Sequence, residues 1–564
     1  MRIFPKRTEY DVCIVGSGAG GGMAAYVLTR AGANVVLLEA GPNWDNQTDS
    51  AMFTWPYETP HRGGWIPSRH FGEFDAGLGG WDLPGEPYSV ASGDRFRWFR
   101  LRMVGGRTNH WGRISLRFGP NDFRRKSLDG LGDDWPISYE TLAPYYDQVD
   151  RLIGIFGSAE GLPNEPDGIF QPPPRPLCYE LYAKQAADRL GITCIPCRLS
   201  VLTRPLNGRP ACHYCGQCNR GCAVNANFSS TNVLLPPAHA TGRLTLITGA
   251  MAREVTVGPD GKATGVQYIN TATGADEHVQ ARVVVLAASA CESARILLNS
   301  RSSRFPQGLA NQSGIVGKYL TDTTGTDVAG FIPRLADGHA HNEDGVGGNH
   351  LYMPWWLDNS TLDFPRGYHI EIWGGRRVPS AGFMGGIHRY PEFGGYGQHL
   401  KQSYRKYYGT TIGFSGRGEM IPNEHSYCEL DPNTVDKFGI PVLRFHWQWS
   451  DYEYLQVKHM QETFRALIGE MGGEVWSPMP TRAQGYGIAD GGVIIHELGV
   501  TRMGNDPSRS ALNEWQQAWD VPNLFVGDGG PFVSQADKNP TWTIMAMAWR
   551  MSDRIAELRR SGQL

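Results

Sequence analysis

The segment YDVCIVGSGAGGGMAAYVLTRAGANVVLLEAG, at residues 10–41, constrains the fold of this chain more than any other feature. Its apolar stretch at residues 10–15 predicts a β-strand, residues 23–30 have the composition of a helix, and residues 35–38 predict a second strand. Strand, helix and strand in this order form a βαβ unit, which requires a parallel sheet. We therefore expect an α/β domain of the Rossmann type.

Within this unit the glycines follow the pattern G-x-G-x-x-G. Gly16 permits a tight turn, Gly18 lets backbone N–H groups approach a pyrophosphate, and Gly21 lets the helix pack on the strand. Glu39 follows the second strand, where a carboxylate accepts the hydroxyls of an adenosine ribose. The unit predicts a dinucleotide site, with a ligand-free glycine turn as the alternative. The glycines alone do not choose between NAD and FAD.

Composition excludes several classes of protein. Hydrophobic residues make up 41% and charged residues 19% of the 564 residues, which is typical of a globular chain. The net charge of −3 gives no basic footprint for nucleic acid or anionic membrane. The longest purely apolar run has only about eight residues, too few for a membrane span. The first twelve residues contain no apolar signal core, so we expect the chain alone to be cytoplasmic.

Four of the ten cysteines form the run C-x2-C-x2-C-x3-C at Cys212, Cys215, Cys218 and Cys222. Bacterial ferredoxins use this spacing for iron–sulfur clusters, with a proline after the fourth cysteine, where this chain has Ala223. Thiolates two residues apart converge on one cluster because the loop between them exposes N–H donors. The run predicts an iron–sulfur cluster.

Zinc is the alternative for the same region. Cys194-x2-Cys197 precedes Cys212-x2-Cys215 by fourteen residues, which is close to zinc-ribbon spacing. A zinc site of this kind would leave the last two cysteines of the run unused. Buried thiols without any ligand are the third interpretation.

Three separated motifs identify a family resemblance. GSGAGGG…LLEAG at the start, GGRTNHWGR near residue 110, and HELGVTRMG…NLFVGDGG…NPTWTI at the end together resemble the glucose–methanol–choline (GMC) family of FAD oxidoreductases. The resemblance covers essentially the whole chain, although the middle matches by layout and not by motif. It is strongest to the iron–sulfur-containing catalytic subunits of bacterial sugar dehydrogenases. It implies FAD as the cofactor.

The resemblance also implies two catalytic residues. His496, in VIIHELGVTRMG, corresponds to the histidine that takes the hydroxyl proton while hydride passes to the flavin. A base with an unperturbed pKa near 6.5 suits that task. Asn539, in KNPTW, corresponds to the second polar residue, whose amide donates to the developing alkoxide. For any one of 16 histidines, a structural role is the alternative.

Further cofactor contacts come from the same motifs. In some relatives a histidine in a similar setting is bonded covalently to FAD, so a covalent link and a packing or contact role are both open for His110. Asp528 ends a strand, which places an acid near a ribityl chain or pyrophosphate. The expected cofactor-contacting residues of these motifs are Gly105, Gly106, Asn109, His110, Asp528, Gly529 and Thr541.

The resemblance refines the metal prediction. In the similar sugar dehydrogenases, three cysteines of such a loop hold a [3Fe–4S] cluster, and Cys212, Cys218 and Cys222 match that spacing. Cys215 leaves a [4Fe–4S] cluster open. A cluster would pass electrons singly to an acceptor other than NAD or oxygen. The alternatives are an oxygen-using oxidase of the same fold and a binding protein without activity.

The order of elements predicts the domain organisation. Strand–helix units at both ends flank a β-rich middle, so we expect α/β combined with α+β structure and a discontinuous FAD-binding domain. The middle predicts a substrate domain built on an antiparallel sheet, and the cysteine run predicts an iron–sulfur insertion. The expected ranges are 1–45, 95–125, 225–320 and 490–564 for FAD binding, 165–225 for the cysteine-rich region and 325–490 for the substrate domain.

The middle segment suggests a sugar or glycoside substrate. Aromatic faces stack on sugar rings and polar groups bind hydroxyls, although any single tryptophan here is more simply a core residue. A glycoside 3-dehydrogenase fits the resemblance slightly better than a glucose 1-dehydrogenase. Relatives work with a small subunit exported by a twin-arginine signal and with a cytochrome c acceptor, which implies the periplasm. The residues concerned are Trp355, Trp356, His369, Glu371, Trp373, His446, Trp447 and Trp449.

Overall fold

The computed structural model describes residues 9–55, 58, 83–109, 111–336, 344–376 and 396–564. Its α-helices in chain order are α1 (Ala19–Arg30), α2 (Arg125–Asp129), α3 (Tyr139–Ile153), α4 (Cys178–Arg189), α5 (Ser230–Val233), α6 (Leu235–Ala240), α7 (Ala290–Asn299), α8 (Pro333–Ala336), α9 (Gly397–Tyr407), α10 (Asp451–Glu470) and α11 (Thr541–Arg560). Short 3-10 turns occur at Ala51–Phe53, Gly106–Asn109, Pro120–Phe123, Asn359–Thr361 and Arg482–Gly487.

The strands of the same ranges form four sheets. They are β1 (Tyr10–Val15), β2 (Val35–Glu39), β3 (Ser89–Val90), β4 (Ile155–Phe156), β5 (Phe170–Gln171), β6 (Ile195–Pro196), β7 (Leu244–Thr248), β8 (Ala250–Val257), β9 (Ala263–Asn270), β10 (Asp276–Leu286), β11 (Asp327–Phe331), β12 (Leu351–Met353), β13 (Tyr368–Gly374), β14 (Thr411–Gly418), β15 (Tyr427–Val435), β16 (Pro441–His446) and β17 (Leu524–Val526).

The largest sheet contains the predicted βαβ unit. Its parallel part has the order β17-β10-β1-β2-β7, with β1 between β10 and β2. Strand β10 pairs with two different sets of strands. Its first half pairs antiparallel with β9, which pairs with β8, and its second half pairs parallel with β1 and β17. The apolar run at the start of the chain is therefore the centre of a parallel sheet, as the sequence predicts.

Alternate residues of β1 face two different cores because successive side chains of a strand point to opposite faces. Val12 and Ile14 pack in a cluster with Met551 and Ile555 of α11, whereas Cys13 belongs to the larger cluster on the other face. A strand buried on both faces has a continuous apolar sequence and not an alternating one. This explains the composition of YDVCIV.

The second sheet has the order β11-β14-β13-β12-β6 and is antiparallel throughout. Helix α10 begins with a capping box in which Ser450 accepts from the Tyr452 N–H and Glu453 bonds the Ser450 N–H. The buried face of α10 includes Met460 and Phe464, which are four residues apart and cover this sheet.

The antiparallel sheet expected for the middle of the chain is therefore present. It is accompanied by a separate small sheet in which β16, from the segment VLRFHWQW, lies between β15 and β3. Strand β6 joins the second sheet from the cysteine-rich range. The predicted domain boundaries stay a prediction. Within the ranges that the structure describes, no helix is both long enough and apolar enough to cross a bilayer.

The packing of α10 on the second sheet generates a stability prediction. Phe464 is fully buried against Tyr368 and Phe414, with ring centroids 6.3 and 6.1 Å away. Phe464→Ala is expected to lower the free energy of unfolding by about 3–5 kcal/mol, because it leaves a cavity in the core. Tyr452→Ala on the same helix is the control, since that side chain is 42% exposed. Equal thermal shifts for both variants would contradict this packing.

Candidate functional site

Three glycines of the first turn have three different surroundings. Gly16 has a φ of +95°, and a Cβ added there would lie 2.4 Å from the carbonyl oxygen of Ala287, so both conformation and space require glycine. A Cβ on Gly21 would lie 1.9 Å from the Gly16 oxygen, as expected for helix-to-strand packing. A Cβ on Gly18 would meet no atom within 4 Å. Gly18 thus faces open space at the N-terminus of α1.

Glu39 ends β2 beside this turn and is buried. The N–H groups of Ser17 and Gly41 donate to its two oxygens at 3.2 and 2.9 Å, and the Ser17 hydroxyl donates as well. Burial raises the pKa of Glu39, although these hydrogen bonds and Arg102 oppose that shift. The carboxylate is held in place with lone pairs left for the hydroxyls of a ligand.

One continuous cavity of about 420 Å³ begins at this turn and extends to His496 and Asn539. Its wall combines the glycine turn and Glu39 with His496 and Asn539, which fits a dinucleotide whose reactive part lies beside a base. The sequence-predicted residues in its wall are Gly16, Gly18, Glu39, Gly106, His496, Asp528, Gly529, Asn539 and Thr541.

Two further predicted cofactor residues, Gly105 and Asn109, lie behind the wall. Gly105 donates its N–H to the Ser17 hydroxyl at 2.8 Å and so supports Glu39 indirectly. Asn109 is buried, and its amide donates to the Val104 carbonyl at 2.9 Å. This hydrogen bond holds the loop in place and does not involve a ligand. His110 lies outside the described residues, so its covalent link to FAD stays a prediction.

Asp528 follows β17 and faces the cavity at the start of α7. Its oxygens accept from the Gly530 N–H at 2.8 Å and from the Ser293 hydroxyl. Burial raises the pKa of Asp528 to about 6. The acid that the sequence places near a ribityl chain or pyrophosphate is therefore preformed and oriented.

The backbone around His496 is strained and is held by a carboxylate. Ile495 has a φ of +63°, which is rare for a β-branched residue. Asp322 accepts hydrogen bonds from the N–H groups of His496, Thr323 and Ile494 at 2.9, 2.8 and 3.3 Å. Burial and the nearby Glu497 raise the pKa of Asp322 to about 7. Asp322 positions the histidine from 174 residues away in the sequence.

The ring of His496 has a defined partner on each nitrogen. Nδ1 lies 2.9 Å from the hydroxyl oxygen of Thr323, and Nε2 lies 3.3 Å from the amide nitrogen of Asn539. We assign the proton to Nδ1, because the Asn539 amide can then donate to Nε2. Burial, assisted by Arg417, lowers the pKa of His496 to about 3. The ring is neutral, and its Nε2 lone pair accepts from the Asn539 amide at the wall of the cavity.

Asn539 lies on a loop anchored by a buried ammonium. Lys538 contacts Asp537 at 2.6 Å and Asp122 at 3.1 Å, and all three side chains are almost completely buried. The oxygen of the Asn539 amide is buried and makes no hydrogen bond within the described part of the chain. Such an atom requires a partner, and the hydroxyl of a bound ligand provides one.

Sequence reasoning missed Asp322, Thr323 and Arg417. Thr323 also accepts from the Gln535 amide at 2.6 Å, which fixes the Thr323 oxygen beside the histidine. The polar run TDTT at 321–324 was the available signal. Nothing in the sequence connects that run with residue 496.

The four cysteines of the predicted cluster are close to one another. The sulfur of Cys212 accepts from the Tyr214 N–H at 3.3 Å, and that of Cys218 accepts from the Gly347 N–H at 3.4 Å. Cys212 interacts electrostatically with the other three cysteines of the run. However, no group of three or more His, Cys, Asp or Glu side chains among the described residues has the arrangement of a metal site. The thiols do not converge, so the cluster stays a prediction.

The zinc alternative has less support. Cys194 and Cys197 flank the two residues of β6, and their side chains enter two different hydrophobic clusters. Side chains three apart on an extended strand point to opposite faces. These two thiols therefore cannot form one side of a zinc ribbon in this conformation.

The aromatic residues of the middle segment are mostly structural. Trp447 and Trp449 are buried and contact each other edge-to-face, with ring centroids 4.9 Å apart. Trp373 is 38% exposed. Of the eight aromatic and polar residues expected to contact a sugar, only Glu371 lines the cavity described above.

The glycine turn yields a matched pair of variants. Gly18→Val is expected to leave thermal stability near that of the wild type but to weaken FAD binding, because the new side chain enters the cavity. Gly21→Val is expected to lower stability strongly, since it forces the helix away from β1. FAD content after refolding and the melting temperature separate the two effects. Full FAD content in Gly18→Val would contradict a pyrophosphate position at this turn.

Comparisons with known proteins agree with this geometry. Family models described as GMC oxidoreductase match residues 175–324 and 422–548, and an FAD binding domain model matches residues 11–52. The 2-methyl-1,2-propanediol dehydrogenase of Mycolicibacterium austroafricanum is 32% identical, over 97% of this chain and 95% of its own length. The fructose dehydrogenase large subunit of Gluconobacter japonicus is 25% identical, over 98% of both chains.

Solved structures show the same fold. A variant of formate oxidase from Aspergillus oryzae superposes with a TM-score of 0.68 at 15% identity and covers 98% of this chain and 99% of its own. The cavity, the glycine turn and the matched sequence ranges agree with the resemblance found in the sequence. This chain belongs to the glucose–methanol–choline family of FAD-dependent oxidoreductases.

Proposed function

We propose that this chain is an FAD-dependent dehydrogenase that oxidises a hydroxyl of a polyol, sugar or glycoside. The observation that carries the proposal is the neutral His496 beside Asn539, at the opposite end of one cavity from the glycine turn. The relatives named after a diol and a sugar support this substrate class. Within it, oxidation at carbon 3 of a glycoside stays a prediction from the sequence resemblance.

The residues of the chain account for the proton in this reaction. A bound flavin supplies the hydride acceptor. When substrate binds, its hydroxyl replaces the Asn539 amide as the partner of Nε2 of His496. Nε2 then accepts the hydroxyl proton, and the Asn539 amide donates to the oxygen as negative charge develops there. Thr323 holds the opposite ring nitrogen, so the imidazole cannot rotate away from the substrate. The nearby Glu371 favours the positive ring that forms.

We expect His496→Ala to keep FAD and fold normally, yet to slow flavin reduction by roughly 10²–10⁴, the usual share of a general base. Asn539→Ala is expected to cost about 10²-fold, through the lost hydrogen bond to the alkoxide. Anaerobic rapid mixing with substrate measures both rates. Flavin reduction at the wild-type rate in His496→Ala would refute the assignment.

The pH dependence follows from the lowered pKa of His496, which is about 3. Protonation of His496 is expected to change the rate of flavin reduction by less than about twofold between pH 8 and 5, because the base stays unprotonated throughout. Asp322, whose pKa is about 7, titrates in the same range, so the profile is compared with that of Asp322→Asn. An imidazole with its ordinary pKa of about 6.5 would already lose about tenfold at pH 5.5. An acidic limb centred near pH 6.5 that persists in Asp322→Asn would contradict the structure around the ring.

For the electron acceptor we propose a route through an iron–sulfur cluster at Cys212, Cys218 and Cys222, with Cys215 as a fourth ligand if four irons are bound. The ferredoxin-like spacing and the proximity of the four thiols support the proposal. Ligation would require the loop to tighten around the metal, as is common when binding and folding are coupled. A small subunit with a twin-arginine signal, a cytochrome c acceptor and a periplasmic location belong to the same proposal.

The loop lies close to the cavity wall. Arg113 is buried near Cys218 and Cys222, and its guanidinium donates to the carbonyl oxygens of Trp111 and Asn109. Trp111 itself lines the cavity. This arrangement supports an exit for electrons on the side of the cysteine loop.

Metal analysis tests the cluster. Anaerobically purified protein is expected to contain about three iron atoms per FAD, or about four if Cys215 ligates. Cys218→Ser should lose the iron, while Cys178→Ser, at an exposed cysteine outside the run, should keep it. Substrate should still reduce the flavin in Cys218→Ser. Zinc without iron, together with rapid reoxidation by oxygen, would replace this proposal by that of an oxidase.

A further inference from the structure

A charged pair lines the same cavity as His496 and Asn539. Glu371 on β13 and Arg417 on β14 are both part of its wall. Arg417 lies opposite His369 in the antiparallel register, so its side chain crosses to Glu371 two residues further along β13. Nη2 of Arg417 is 3.0 Å from Oε2 of Glu371. The two side chains are 17% and 12% exposed.

Neighbouring groups hold the pair in position. Nε2 of His369 lies 3.5 Å from the second Glu371 oxygen, and Nδ1 of His369 bonds the carbonyl of Asp537. Nη1 of Arg417 donates to the Gly416 carbonyl at 2.9 Å. The carboxylate therefore connects, through one histidine, to the loop that carries Asn539.

Both members of the pair are charged at neutral pH. Burial raises the pKa of Glu371, but Arg417 and His369 together lower it to about 2. A buried ion pair adds little stability in most proteins, because desolvation offsets the attraction. A pair that borders a cavity beside a catalytic base is therefore better explained by what it binds.

The chemistry of the pair selects one kind of ligand group. A guanidinium only donates hydrogen bonds and a carboxylate only accepts them, so a group that does both satisfies the two together. A hydroxyl has this property. A ligand carboxylate would be repelled by Glu371 and a ligand ammonium by Arg417. Because the pair has no net charge, it offers neither ion a compensating net attraction.

We propose that Glu371 and Arg417 bind a second hydroxyl of the substrate, next to the hydroxyl that His496 deprotonates. Arg417 donates to its oxygen, and the hydroxyl donates to Glu371. The substrate class is then a neutral vicinal diol, polyol or sugar, and not a simple monoalcohol, hydroxy acid or amino alcohol. This inference rests on the proposed function and adds specificity-determining residues to it.

The test compares two alcohols that differ by one hydroxyl. Flavin reduction is measured anaerobically with 1,2-propanediol and with 1-propanol, and the ratio of the two second-order rate constants is the readout. The wild-type ratio is expected to be about 10–100 in favour of the diol, as follows from the loss of a hydrogen bond to a charged group. In Glu371→Gln and Arg417→Gln the ratio should fall at least about fivefold towards one.

This ratio separates recognition from general damage. Glu371 and Arg417 both influence the pKa of His496, but a change in the base affects both alcohols equally and cancels in the ratio. Arg189→Gln, which breaks an exposed pair with Glu470, is the matched control and should keep the wild-type ratio. If the glutamine variants do not fold, Arg417→Lys keeps the charge but loses the planar fork, and its ratio should lie between wild type and one.

Other outcomes would overturn the inference. These are a wild-type ratio near one, ratios that do not change in the folded variants, and faster reduction by lactate than by the diol. In those cases the wild-type enzyme still oxidises an alcohol, so the proposed function survives. If no alcohol, polyol or sugar reduces the flavin of the FAD-loaded wild type, the proposed function itself fails.

Discussion

The structure of the cavity depends on two glycines, at which the backbone of the first turn comes close to the ends of two other strands. A Cβ on Gly16 would lie 2.4 Å from the Ala287 oxygen, and one on Gly20 would lie 1.8 Å from the Gly527 oxygen. These contacts bring the ends of β1, β10 and β17 against the N-terminus of α1. The cavity wall around the glycine turn extends from these strand ends, whereas Glu371 and Arg417 of the second sheet form part of the wall near His496. A side chain at either glycine would therefore displace the catalytic loops as well as the turn.

The catalytic end depends on buried charge instead. Asp322 holds the strained backbone before His496, and Lys538 anchors the loop before Asn539 through Asp537 and Asp122. Removing one partner of such a buried pair costs about 3–5 kcal/mol, because the other charge is left unpaired. The two catalytic side chains thus come from loops that are distant in sequence. Buried carboxylates hold each of these loops in place.

Features carried by short motifs were predictable from the sequence, whereas contacts between distant segments of the chain were not. The βαβ unit, the glycine turn, Glu39 and the placement of His496 with Asn539 follow from short motifs, and the structure brings them into one cavity. The role of Arg417 was not predictable, because it depends on the register of two strands more than forty residues apart. Aromatic composition alone did not show which tryptophans face a ligand, since burial in the core selects the same residue types. Cysteine spacing likewise does not determine whether sulfur atoms converge.

The double use of β10 has a consequence for the order of events during synthesis. Its first half can form a meander with β8 and β9 as soon as the ribosome has produced residue 286, because these strands are neighbours in sequence. Its second half can pair with β1 on one side, but the other side must wait for β17, which is translated 238 residues later. Strands that pair across long sequence separations form late. The nascent chain therefore carries an open, apolar sheet edge while these 238 residues are translated, and the part of the cavity wall that Asp528 contributes is completed only when β17 closes that edge.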